Sequence, residues 1–193
     1  MDRIQTKQWY ETVFAAIMFI LIMLVAGIAD AKMVDKNPVL DKSVMATLGK
    51  CQKISLSCAA TMKDAPGILV FPSVVKADLI IGGAGGKGAL IENGRITGYY
   101  SIGAASAGLQ VGIEDKSQVY VFRTPESLDQ LKGGSDWKAS ASAGVTLIAT
   151  DENASSATGS VLAYVFDAKG LNAGISLDLF DVWKTGQVRP SQQ

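Results

Sequence analysis

The chain has 193 residues, and its 18 Lys plus Arg are balanced by 18 Asp plus Glu. That length suits one ordinary domain with a real core, and the lack of a basic excess excludes an electrostatic nucleic-acid binder. There is no histidine, which removes Ser-His-Asp and Cys-His catalysis, histidine base chemistry and most zinc sites.

Residues 13–29 read VFAAIMFILIMLVAGIA. Arg3 and Lys7 precede this run, and Ala29-Asp30-Ala31 follows with the A-x-A form of a signal-peptidase site. The expectation is a secretory signal over residues 1–31, with the mature chain starting at Lys32. An uncleaved anchor formed by residues 13–29 is the alternative, at roughly 25 Å slightly short for a membrane span. Either way the chain is expected to be exported, and to be periplasmic or envelope-associated.

Residues 32–65 are expected to be helical. Asn37 can cap free N–H groups, and Pro38 suits a first helical position. Leu40, Val44 and Leu48 recur at helical spacing, and Gly49 reads as a stop. A second short helix is expected from about Ser57 to before Pro66-Gly67. This segment carries Lys32, Lys36, Lys42, Lys50, Lys53 and Lys63 against only Asp35, Asp41 and Asp64.

Cys51 and Cys58 would lie about 10 Å apart on one continuous helix, too far for a disulfide. If Gly49 ends the first helix, both fall in or beside the connection and can pair, which export favours. Two buried thiols remain the alternative; catalysis or metal binding is disfavoured.

After Pro66 the pattern changes to period two. Residues 67–72 read as a strand, and residues 79–81 and 89–91 flank a glycine cluster. Asn93-Gly94 signals a hairpin with a returning strand over 96–100. Residues 105–113 alternate, a polar turn is expected at 114–117, and a strand at 119–122. Residues 125–131 read as a short helix ended by Gly133-Gly134. Alternation resumes over 139–147 and 171–179, and residues 161–166 are apolar on both faces, as in a central strand. Residues 151–159 read as a polar loop, and residues 186–193 as a flexible tail.

The predicted fold class is α+β. Short N-terminal helices precede a mainly antiparallel, strongly curled sheet or partial barrel over residues 66–185. Small residues inside the strands allow the bending.

Gly83-Ala84-Gly85-Gly86-Lys87-Gly88 matches GxGxxG, but a strand follows it where a dinucleotide site needs a helix. A tight strand–turn–strand with close backbone packing is expected instead. Glu114-Asp115 and Asp151-Glu152 read as solvated turns.

Residues 67–83 (GILVFPSVVKADLIIGG), Gly88-Ala89-Leu90 and residues 98–112 (GYYSIGAASAGLQVG) resemble the SYLF domain family of lipid- and actin-binding proteins. Trp137, Phe166 before Gly170-Leu171, and Ala173-Gly174-Ile175-Ser176-Leu177 fit its C-terminal half. The family usually has an aromatic and then an acidic residue within the glycine cluster, where this chain has Ala84-Gly85-Gly86-Lys87. The resemblance implies binding of acidic phospholipids, phosphoinositides in eukaryotes, through basic residues and an amphipathic N-terminal segment, with no catalytic activity and no cofactor. Some eukaryotic members bind actin, a partner that an exported bacterial-looking chain would not meet.

The expected function is therefore a non-enzymatic phospholipid- and membrane-surface-binding protein of a bacterial envelope. Lys42, Lys50, Lys53, Lys63 and Lys76 are the candidate lipid-binding residues. Two alternatives stay open: a carrier of an apolar ligand inside the curled sheet, and a structural envelope protein acting through protein contacts.

Overall fold

Asn37 and Pro38 start the first helix as their chemistry dictates. In the computed structural model α1 spans Pro38–Ile54, and the Asn37 side chain accepts a hydrogen bond from Leu40 N at 3.1 Å. The structure describes residues 36–78, 81–107, 112–133, 137–148, 151–167, 171 and 180–185. The expected signal or anchor (residues 1–31) and tail (186–193) lie outside them, as does all of the expected 171–179 strand except Leu171.

Gly49 does not end α1. The helix runs through it, because a single glycine costs only about 1 kcal/mol in a helix interior and the flanking Leu48 and Cys51 pack inward. The break comes at Ser55, whose backbone is extended and whose side chain caps α2 (Leu56–Thr61) by accepting from Cys58 N. This reversal brings Cys58 back to Cys51 in the last turns of α1. The two form a disulfide with a Cα–Cα distance of 6.0 Å. The pairing expected on export thus forms even though α1 continues past Gly49.

The strands are β1 (Gly67–Asp78), β2 (Ile81–Glu92), β3 (Arg95–Ala107), β4 (Gly112–Phe122), β5 (Trp137–Lys138), β6 (Val145–Ile148), β7 (Val161–Phe166) and β8 (Asp181–Lys184). They form one curled sheet, a half-barrel, in the order β5-β8-β3-β2-β1-β4-β7-β6. Every pairing is antiparallel except β6 with β7. The α+β, mostly antiparallel, curled expectation is met. Asn93 and Gly94 both take positive φ, 51° and 72°, as a two-residue hairpin turn requires.

The glycine cluster is not a turn. Residues 83–88 lie inside β2, and the reason sits in the neighbouring strand. Pro72 interrupts β1 in mid-sheet, and the register of β1 slips there against both β2 and β4. Proline is tolerated in a sheet at such a bulge. The bulged backbone crowds β2, so a Cβ at Gly86 would strike Ser73 O, and one at Gly88 would strike Val70 O and the Phe71 ring. The glycines admit the bulge.

Three further expectations fall. The polar residues 114–117 continue β4 rather than turn. Residues 139–147 are not one strand, since Ala141–Ala143 form a 3-10 turn and only Val145–Ile148 join the sheet. Part of the expected loop 151–159 is helical: α4 spans Asp151–Ser156.

Alternation along the strands separates two cores. One face carries Leu69, Phe71, Tyr100, Tyr120, Phe122 and Trp137, closed by Leu128 and Leu131 of α3 (Pro125–Gly133). The other carries Ile68, Val70, Ala89, Ile91, Val119, Val121, Tyr164 and Phe166, covered by α1 and α2. We call them the aromatic face and the helix face. The all-apolar run expected to be a central strand is β7, buried throughout between β4 and β6.

Candidate functional site

α1 has two stripes. Leu40, Val44, Thr47, Leu48 and Cys51, at steps of three and four, pack onto the helix face of the sheet. The Leu40/Val44/Leu48 stripe is therefore occupied by the sheet and is not presented to a lipid boundary. A second stripe turns away from the sheet: Val39, Lys42, Ala46, Lys50, Lys53 and Ile54, again at helical spacing. Val39 is 77% exposed, and Lys42, Ala46 and Lys53 are exposed. No acidic residue falls on it. The one acid of α1, Asp41, instead accepts a hydrogen bond from Tyr99 Oη at 2.6 Å; that same oxygen accepts from Asn37 N at 2.9 Å, tying the start of α1 to β3.

Of the five lysines read from the sequence, the structure places Lys42, Lys50 and Lys53 on this stripe. Lys50 is half-buried, its Nζ 5.5 Å from the centroid of the Phe166 ring of β7. Its stem covers apolar surface while its charge stays at the rim. Lys63 is exposed in the turn after α2. Lys76 is not brought to them. It lies in β1 between Ala84 of β2 and Glu114 of β4, in the same phase as Val74, and so on the aromatic side of the sheet.

Three residues of this surface, Val39, Ile54 and Leu56, escaped sequence reading, and Asp151, read there as part of a solvated turn, is instead tied to it. Val39, Ile54 and Leu56 are among the exposed large hydrophobic side chains, with Leu56 at 80%. Asp151, the first residue of α4, reaches the corner between α1 and α2. Its carboxylate accepts from Leu56 N at 3.0 Å, Ser57 N at 3.2 Å, Ser57 Oγ at 2.9 Å, and Ser55 Oγ. The Ser55 bond foremost holds its pKa down at about 2; burial opposes it, and the Ser57 and Leu56 donors add to the lowering. The second stripe was open to a helical wheel; the Asp151 contact, 95 residues away from Leu56, was not.

On the aromatic face, Phe71 and Tyr120 meet edge to face, as do Tyr120 and Trp137, while Phe122 tilts onto Trp137. These rings share one buried cluster with Leu128 and Leu131 of α3.

Residues 103–186 match the family model described as Ysc84: Las17-binding protein actin regulator. The SYLF resemblance holds over this stretch. It takes in Trp137, Phe166 and Gly170-Leu171, and it covers somewhat less than half of the chain. α1, α2 and the cationic stripe precede it. No curated protein matches the chain. The matched family is one of binding domains rather than enzymes.

Proposed function

We propose that this protein is a non-enzymatic binder of anionic phospholipid surfaces in the bacterial cell envelope, and that it docks through the outward stripe of α1. One observation carries the reading: an acid-free row of Val39, Lys42, Ala46, Lys50, Lys53 and Ile54 on a helix whose other stripe is already packed on the sheet. A basic and apolar face of this kind suits the boundary between headgroups and acyl chains. Each lysine near an anionic surface contributes about 1 kcal/mol. Lys42, Lys50, Lys53 and Lys63 together give weak binding that falls with salt.

Export rests on residues 13–29 and is supported by the Cys51–Cys58 disulfide, since such bonds persist in oxidising compartments. The family description concerns protein binding and actin regulation; for an exported chain we place the lipid surface ahead of actin.

The test is cosedimentation of the purified chain with vesicles of phosphatidylglycerol and phosphatidylcholine, or of phosphatidylcholine alone. Binding should require the anionic lipid and weaken with salt. The pair Lys42→Glu and Lys53→Glu should reduce it by more than tenfold, as two charge reversals at about 1 kcal/mol per charge imply. Equal binding to neutral vesicles, or an unaffected charge-reversed protein, overturns the reading.

A further inference from the structure

The corner between α1 and α2 exposes two large apolar side chains either side of Ser55, Ile54 at 36% and Leu56 at 80%. Single exposed leucines are ordinary. This one stands on a corner fixed from several directions. The Cys51–Cys58 disulfide spans it, with both cysteines fully buried. Ser55 caps α2, and the Asp151 carboxylate holds the N–H groups of Leu56 and Ser57 together with both serine hydroxyls. Lys50 and Lys53 lie just before the corner on the cationic stripe. The donors of Asp151 are neutral groups that fix its carboxylate without cancelling its charge, which stays on the α4 side of the corner.

We propose that this corner is an insertion tip, and that Ile54 and Leu56 enter the acyl region of an anionic bilayer while Lys50 and Lys53 remain at the phosphates. The inference rests on the membrane reading above and adds to it an apolar, salt-resistant contribution at a named place. Two physical features fit a tip. The Leu56 and Ser57 N–H groups already have an acceptor, so leaving water strands no backbone donor. The corner is already ordered, so little conformational freedom is lost on insertion. The lysines on the α1 side of an apolar point favour an anionic lipid surface over an acidic soluble partner, which would leave Leu56 and Ile54 in water.

The experiment uses the full chain with Leu56→Cys carrying a polarity-sensitive NBD label, the native cysteines being paired. A second chain carries the label at Asp129→Cys, exposed on α3 on the other face of the sheet. Vesicles of phosphatidylglycerol and phosphatidylcholine contain brominated acyl chains. The residue-56 label should shift to the blue and be quenched, and the residue-129 label should do neither. Leu56→Ser should weaken binding in high salt roughly five- to tenfold, the share of a leucine transferred partly out of water. Vesicle binding with the residue-56 label still in water, or an unchanged Leu56→Ser protein, overturns the tip and leaves the surface reading standing. Failure to bind anionic vesicles at all removes both.

Discussion

Asp151 does at the residue scale what no neighbouring residue in the sequence can do. Its carboxylate joins α4 to the corner of α1 and α2, and those donors hold its pKa down at about 2. A carboxyl whose pKa is lowered on folding contributes stability above its unfolded value and loses it as the pH falls through the folded one. Denaturant midpoints should therefore drop between roughly pH 4 and pH 2. In Asp151→Asn that drop should shrink, and the variant should be less stable than the parent at neutral pH. Equal midpoints at every pH would remove Asp151 from the account of the corner.

At the scale of elements, two glycines that look alike in sequence have opposite roles. Gly49 sits inside α1 with nothing within 4 Å of a Cβ built there. Gly49→Ala should stabilise the protein by about 0.5–1 kcal/mol through helix propensity and backbone entropy. Gly88 sits under the Pro72 bulge, where a Cβ meets the Val70 carbonyl and the Phe71 ring. Gly88→Ala should destabilise by roughly 1–3 kcal/mol or more, as overpacking does. Thermal melts of the two variants in parallel check the contrast.

The disulfide also belongs to this scale. It closes a loop of seven residues' separation, worth on the order of 2–3 kcal/mol in the chain-entropy account. Its burial in the helix-face core makes it a structural bond between α1 and α2.

For the whole molecule, the sheet has a core on each face, and α1 shares one of them with β1, β2, β4 and β7. The helices and strands should thus unfold together. Far-ultraviolet circular dichroism and tryptophan fluorescence should give coincident transitions, and Val44→Ala should move both midpoints by the same amount. An early, separate loss of helix would show that α1 is only loosely attached.

Much of this architecture was legible in the sequence. Asn37-Pro38, Asn93-Gly94 and the apolar run that became β7 are local signals, and each produced the expected element. The errors share one cause. Gly49, the glycine cluster, residues 114–117 and the 139–147 alternation were read from local propensity, and tertiary pairing overrode it. The candidate site divides the same way. Lys42, Lys50 and Lys53 could be named because charge is visible in sequence, and they share one stripe of α1, while Lys76 was grouped with them because the face of a strand is not visible there.

By itself the sequence determined which residue types could act here: no histidine chemistry, a lysine-rich front segment and a glycine-permitted curled sheet. Only the tertiary structure decided which stripe of α1 the sheet consumes and which it leaves outside, where the corner points Ile54 and Leu56, and that Asp151 holds it. The reason is physical. Composition and periodicity are set by neighbours along the chain, whereas burial, register and a hydrogen bond spanning 95 residues depend on which surfaces meet after folding.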